Sequence, residues 1–211
     1  MTKLLCIRHG YSEYNHLKKF TGQLDIPLTP LGIQQAEITA QYLLETYKID
    51  AIYSSDLSRA VHTAKPVADA LGLSIVTDKR LRELDLGDWT DMYIAEVREK
   101  YPVEYEAYRK GARCLGGESL DELKDRALSA VYEIAQANEG KTVLIAAHGG
   151  TIRAILRGLQ NLSVEEAEKV PIVSNNSVTE LDYANGSFEI IKISYDEHLS
   201  KLKTWQEKEL N

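Results

Sequence analysis

Cysteine is scarce in this 211-residue chain: Cys6 lies inside an apolar run and Cys114 in a glycine-containing loop. Neither composition nor spacing describes a disulfide framework or a metal knuckle. No apolar run approaches the ~20 residues that cross a bilayer. The opening Met1-Thr2-Lys3-Leu4-Leu5-Cys6-Ile7 is cut short by Arg8 and reads as a first strand, not a secretory leader. Basic blocks are missing too, and the formal net charge is −7. Nucleic acid and anionic membranes need a basic face, so neither is expected as a partner. Repeats, low-complexity stretches and Pro/Gly/Ser-rich linkers are lacking, so 1–211 reads as one continuous domain. These absences, with an ordinary 44% hydrophobic and 27% charged composition, lead us to expect a reduced, cytoplasmic globular protein.

What is present is alternation. Leu4-Leu5-Cys6-Ile7 is a continuous apolar run, as in a strand buried on both faces. Thr29-Pro30 offers an N-cap and a first-turn proline, and Ala36, Ala40, Leu43, Leu44 and Tyr47 follow at helical spacing. Asp50 to Tyr53 reads as a strand, Leu57 to Leu71 as a helix closed by Gly72, and Leu73 to Val76 as a third strand. From about 91 to 136 the chain is rich in Glu, Lys, Arg and Tyr, without strand patterns. A capping box at Ser119-Leu120-Asp121-Glu122 opens a long helix there, and the whole stretch reads as a helical insertion, or lid. Val143 to Ala147 is again a buried strand, and Thr151 to Leu159 a helix. Val178 to Tyr183 and Phe188 to Ser194 form a hairpin around Asn185-Gly186. The expected fold is α/β: a mostly parallel sheet covered by helices on both faces, with an antiparallel edge. The charged tail after Asp196 carries no pattern that determines its order.

The chemistry gathers at strand ends. Arg8-His9-Gly10 follows the first strand, and Ser54-Ser55-Asp56 with Arg59 the second. Glu83 follows the third, and His148-Gly149-Gly150 the strand ending at Ala147. Parallel strands deliver their C-terminal ends to one edge, where ligands bind. Arg8, His9, Arg59, Glu83 and His148 are therefore expected to converge. Two arginines match phosphate geometry. Helix N-termini after Gly10 and Gly149 add backbone donors. A neutral imidazole beside arginines is a competent nucleophile, and a carboxylate can serve as acid and then base. The set suits phosphoryl transfer. Metal binding is not expected: the histidines lack a ligand spacing, and adjacent arginines repel a cation. Asp85 competes with Glu83 for the carboxylate role, with Glu83 preferred. His16, His62 and His198 read as surface or packing residues. Tyr101, Tyr105 and Tyr108 fit helix packing or a lid face turned to substrate.

Taken together, these segments resemble the histidine phosphatase superfamily, also called phosphoglycerate mutase-like. The resemblance rests on Arg8-His9-Gly10 through Asn15, Thr21-Gly22 through Thr29, and Ser54-Ser55-Asp56-Leu57-Ser58-Arg59-Ala60. It continues in Leu81-Arg82-Glu83 with Gly87 and Trp89, Gly117-Glu118-Ser119 with Arg126, and Ala147-His148-Gly149-Gly150. It implies a three-layer α/β/α sandwich, His9 as the phosphorylated nucleophile and Glu83 as proton donor. It also implies a phosphate pocket of Arg8, Arg59 and His148, with Asn15, Thr21 and Gly22 on the substrate, and neither metal nor cofactor. Two departures stand out. Where the family often has Trp-Glu-Gly, this chain has Trp89-Thr90-Asp91. The stretch from Met92 to Gly116 is short and lacks the Arg-Arg pair and proline-rich run of the cofactor-dependent mutases. The expectation is a phosphatase of small phosphorylated metabolites. The alternatives are a cofactor-dependent phosphoglycerate mutase and a member that binds phosphorylated ligands without turnover.

Overall fold

The computed structural model describes residues 1–200 and Leu202. One six-stranded sheet organises the chain. Its strands are β1 (Thr2–Arg8), β2 (Ala51–Ser54), β3 (Ile75–Thr77), β4 (Thr142–Ala147), β5 (Val178–Ala184) and β6 (Ser187–Tyr195). They lie in the order β3-β2-β4-β1-β5-β6. The first four are parallel, and the β5–β6 hairpin continues the sheet antiparallel beyond β1. The helices are α1 (Glu13–Leu17), α2 (Pro30–Thr46), α3 (Ser58–Leu71), α4 (Ile94–Lys100), α5 (Pro102–Arg109), α6 (Leu120–Ala137) and α7 (Gly149–Leu159).

Strand alternation explains the continuous apolar runs. Leu5, Ile7, Leu144 and Ala146 face α2 and α3 in one core, with Ala40, Leu43, Ala60 and Val67. Their neighbours Leu4, Cys6, Val143, Ile145 and Ala147 face α6 and α7 in the other, with Ala127, Val131, Ile134 and Ile152. Both faces are dry, so both sets must be apolar. The helix starts behave as their caps require. Thr29 Oγ1 accepts the Gly32 N–H at 3.1 Å, and the Ser119–Glu122 capping box closes in both directions. Gly72 ends α3 in the left-handed conformation at φ +65°.

Some boundaries differ from the sequence reading. The third strand covers Ile75–Thr77 and is largely exposed, because it is the edge strand and has one neighbour. Within the stretch read as an insertion, α6 buries Leu123, Ala127, Val131 and Ile134 and serves as a layer of the main sandwich. Its charged outer face is a solvated helix face, which composition alone does not separate from a lid. The segment standing outside the sandwich comprises α4, α5 and their flanking loops. It is strapped to the chain after α1 by backbone bonds from Phe20 N to Met92 O and from Asp91 N to Phe20 O, both 2.9 Å. A third aromatic core fills it, with Trp89, Val97 and Leu123 buried and Phe20, Tyr105 and Tyr108 packed against them. Of the charged tail, Glu197–Leu199 forms a 3-10 turn that buries Leu199; Lys201 and 203–211 lie outside the described residues. Among the described residues no helix is long and apolar enough to cross a membrane.

Candidate active site

Strand register brings the two histidines together. β1 and β4 run parallel with Arg8 opposite Ala147, so the next residue of each, His9 and His148, stands at the same level. The ladders on β4 continue one step past β1 and β2, with His9 N donating to Ala147 O and Ser55 N to Ala146 O, both at 2.9 Å. The rings lie 5.2 Å apart between centroids.

The hydrogen bonds assign the tautomers. His9 Nδ1 lies 2.8 Å from the Gly10 carbonyl oxygen, which can only accept, so Nδ1 carries the proton and Nε2 keeps its lone pair. His148 has the opposite arrangement. Its Nδ1 accepts from Arg59 Nε at 3.2 Å, leaving Nε2–H to donate to Ser55 Oγ at 2.8 Å. Both rings are buried. Desolvation first, then the Arg8 and Arg59 charges, holds the His9 imidazole well below its ordinary pKa. Burial and the Arg59 charge do the same for His148.

The arginines are fixed by carbonyls. Arg59, 1% exposed, donates from Nη1 to Leu24 O at 2.6 Å and from Nη2 to Gly22 O at 3.0 Å. Burial pulls its pKa down to about 10, with Glu83 and Asp25 opposing. Arg8 donates from Nη1 to Val173 O at 2.7 Å. Glu83 is aimed by backbone N–H groups: Oε1 accepts from Leu84 N at 2.9 Å and Oε2 from Gly150 N at 3.0 Å. A Cβ on Gly150 would intrude on Glu83 Oε1, so the glycine is needed for close approach. Asp85 turns away and caps Gly87 N at 3.0 Å.

These groups open on a cavity of about 580 Å³. Arg8, His9, Arg59, Glu83 and Gly149 line it, as do Asn15, Thr21 and Gly22. His148 does not; it is fully enclosed. Asn15 Oδ1 is occupied by Ser12 N at 3.1 Å and by Asn175 Nδ2 at 3.3 Å. His198 stacks on Tyr42 at 4.7 Å, as a packing histidine. Tyr108 combines both readings of the tyrosines, packing edge-on against Trp89 at 5.5 Å and lining the cavity.

The residues that support the site had no assigned role in the sequence analysis. Asn175 Nδ2 donates to His9 O at 2.8 Å, and Thr63 Oγ1 accepts from Gly10 N at 2.9 Å. Arg126 donates from Nη1 to Arg80 O and Arg82 O and from Nη2 to Glu83 O, while Glu118 pairs with it. The polar run Ser174-Asn175-Asn176-Ser177 before an apolar strand is the signal for the first of these, while Glu118 and Arg126 stood in the resemblance without a role. The Trp89-Thr90-Asp91 departure also resolves. Asp91 holds φ +71°, a conformation that favours glycine, and its carboxylate binds Lys19 at 2.6 Å and Tyr14.

The chain belongs to the histidine phosphatase superfamily (branch 1), whose family model matches residues 4–196. It is an enzyme of the histidine-phosphatase type, and its relatives carry both phosphatase and mutase names. It is 38% identical over 172 residues to the glucosyl-3-phosphoglycerate phosphatase of Mycolicibacterium vanbaalenii, covering 77% of this chain and 76% of that protein. It is 35% identical over 181 residues to phosphoglycerate mutase-like protein 4 of Arabidopsis thaliana, covering 83% and 77%. The solved structure of YhfR from Bacillus stearothermophilus superposes with a TM-score of 0.89 at 30% identity, covering 94% of this chain and all of that one.

Proposed function

We propose that this protein is a metal-independent phosphatase that hydrolyses small phosphomonoesters through a phosphohistidine on His9. The observation that carries the proposal is the His9 tautomer: the Gly10 carbonyl holds the Nδ1 proton, leaving the Nε2 lone pair available in a cationic pocket. The depressed pKa keeps that lone pair free of a proton. Nε2 attacks phosphorus in line, the N–P bond forms and the ester P–O bond breaks. Glu83, in its acid form, gives its proton to the leaving oxygen. A water then loses a proton to Glu83 and attacks phosphorus, the N–P bond breaks, and inorganic phosphate leaves. Arg8 and Arg59 supply the positive charge that the equatorial oxygens require, in place of a metal. His148 positions Arg59 through the Nε–Nδ1 bond. Asn15, Thr21, Gly22 and the Gly149 N-terminus of α7 complete the substrate-facing wall.

A cavity of this size takes a small metabolite, as does the glucosyl-3-phosphoglycerate phosphatase that resembles this chain. The mutase reading has the name of the Arabidopsis relative in its favour. It requires two phosphorylated ends held away from water, and the short stretch from Met92 to Gly116 argues against that. The test is para-nitrophenyl phosphate hydrolysis in EDTA by wild type and His9→Ala. Wild type turns over, and the variant loses activity by ~10⁴-fold or more. A folded wild type with no turnover, or an active His9→Ala, would overturn the proposal.

A further inference from the structure

Glu83 lies in an irregular stretch between the 3-10 turns Lys79–Leu81 and Gly87–Trp89. Among the described residues no strand pairs with it, so its backbone groups need partners from elsewhere. Arg126, on α6, supplies three of them. Its Nη1 donates to Arg80 O and to Arg82 O, both at 2.7 Å, and its Nη2 to Glu83 O at 2.8 Å. The other bonds go to Glu118, from Nε to Oε1 and from Nη2 to Oε2, both at 2.9 Å. One hydrogen bond thus falls to each N–H that a guanidinium carries. A lysine has fewer donors and no fixed fork, and cannot fill the same set.

One of these bonds bears directly on the carboxyl. Glu83 O and Leu84 N belong to the same planar peptide unit, in which the carbonyl and the N–H point opposite ways. Arg126 holds the oxygen, and the N–H on the other side donates to Glu83 Oε1 at 2.9 Å. Fixing the one therefore aims the other. Glu118 closes the far end of the segment: its N donates to Asp85 O at 3.0 Å, and its Oε2 accepts from Asp85 N at 3.2 Å. A Cβ on Gly117 would intrude on Asp85 O, so the glycine lets the two segments meet. Both side chains of the pair are largely buried, where a two-point ion pair holds its geometry. The pair is neutral as a whole, and adds no net charge beside a group that must carry a proton. The nucleophile is held by other means, through Ala147 O and Asn175. None of the Arg126 bonds reaches His9, Arg8, Arg59 or His148.

We propose that Arg126, paired with Glu118, is a positioning residue for proton transfer: it fixes the Glu83–Leu84 peptide and thereby aims the carboxyl, without acting on the nucleophile. This rests on the phosphatase reading above and deepens it. The sandwich helix α6 then has a part in the chemistry, although it contributes no group that touches substrate.

The test compares kcat/KM for para-nitrophenyl phosphate and benzyl phosphate. The first leaving group departs as a stable anion with little help from an acid, whereas the benzyl alkoxide must be protonated. kcat/KM covers the steps up to loss of the leaving group, so the later work of Glu83 as a base does not enter. Wild type, Arg126→Met and Arg126→Lys are measured, with thermal melts confirming that each is folded. Arg126→Met loses ~100-fold on benzyl phosphate, the scale of a small misplacement of a reacting group, and only a few-fold on para-nitrophenyl phosphate. Arg126→Lys recovers part of the benzyl loss. In a Glu83→Gln background Arg126→Met adds little, because the acid it positions is already gone. Equal losses on the two substrates, or losses that multiply in full in the double variant, are the mark of a merely structural role and overturn the inference. If Arg126→Met does not fold, Arg126→Lys carries the same comparison under the same criteria. Failure of wild type on para-nitrophenyl phosphate sinks the phosphatase reading itself, so the two failures are told apart.

Discussion

At the strand-end half of the cavity, polar side chains are held by buried partners. His148 is fixed at both ring nitrogens, Arg59 at three acceptors, and Glu83 at two backbone N–H groups. The outer half is built differently. Its walls are rings such as Phe20 and Tyr108, and cations such as Lys19 and Arg109 tethered to surface carboxylates. The contrast follows from the work each half does. Charge that develops on phosphorus is stabilised only by dipoles already in place, whereas a leaving group of variable shape is met by packing and adjustable side chains. On the proposed mechanism, one half sets the reaction and the other chooses what undergoes it.

The sharpest test of that division is Glu83→Gln. Turnover of alkyl phosphomonoesters falls by ~10²- to 10⁴-fold, as for removal of a general acid–base group. Asp85→Asn, which removes only the cap on Gly87 N, leaves kcat far closer to wild type in the same assay. Equal losses would return the carboxylate role to contention between the two.

Arg59→Met probes the rigidity of the inner half. It strands the Leu24 and Gly22 carbonyls and one nitrogen of His148. Stability in denaturant drops by ~2–5 kcal/mol, since buried groups lose their partners. A variant as stable as wild type would show the network to be dispensable for folding.

Acid exposes the same half. His9 and His148 have folded-state pKa values well below 6.5, so the unfolded chain binds protons first as pH falls. Stability is therefore full above about pH 7 and declines as pH drops through 6.5 toward the folded values, by up to ~1.4 kcal/mol per pH unit for each histidine. Melting temperatures at fixed ionic strength from pH 7.5 to 5 read this directly. His148→Asn flattens the decline if His148 contributes. For the same reason kcat/KM persists below pH 6.5, because His9 stays unprotonated there.

The smallest effect belongs to the outer half. Phe20→Leu keeps the ring site apolar and costs under ~1.5 kcal/mol of stability. It raises KM for aryl phosphates several-fold while kcat changes little. A kcat collapse would mean that the aromatic wall positions the reacting groups and that the division of labour is wrong.

Much of the inner half is legible in the residues themselves. Arg8-His9-Gly10 and Ala147-His148-Gly149 each follow a doubly buried apolar run, and parallel strands bring such ends to one edge whatever the neighbouring order. The helix of α6 is legible from its capping box, but its place is not. Glu, Lys and Asp on its outer face resemble the composition of the lid, and only packing against the sheet makes it a layer of the sandwich. The backbone at Asp91 is not legible either: its φ of +71° is a left-handed conformation that glycine favours and that a single aspartate does not announce.

The sequence by itself determined the fold class, the strand ends and the residue types that gather there, because burial period and turn chemistry are local. Tertiary structure decided the rest. The register of β1 on β4 put His9 beside His148, the Arg59 and Ser55 side chains assigned the His148 tautomer, and carbonyls from distant loops aimed the arginines. The approach of Glu83 to Gly150 let the carboxylate, and not Asp85, line the cavity. Each of these depends on which polar group lies across a gap, a long-range property that residue spacing does not encode.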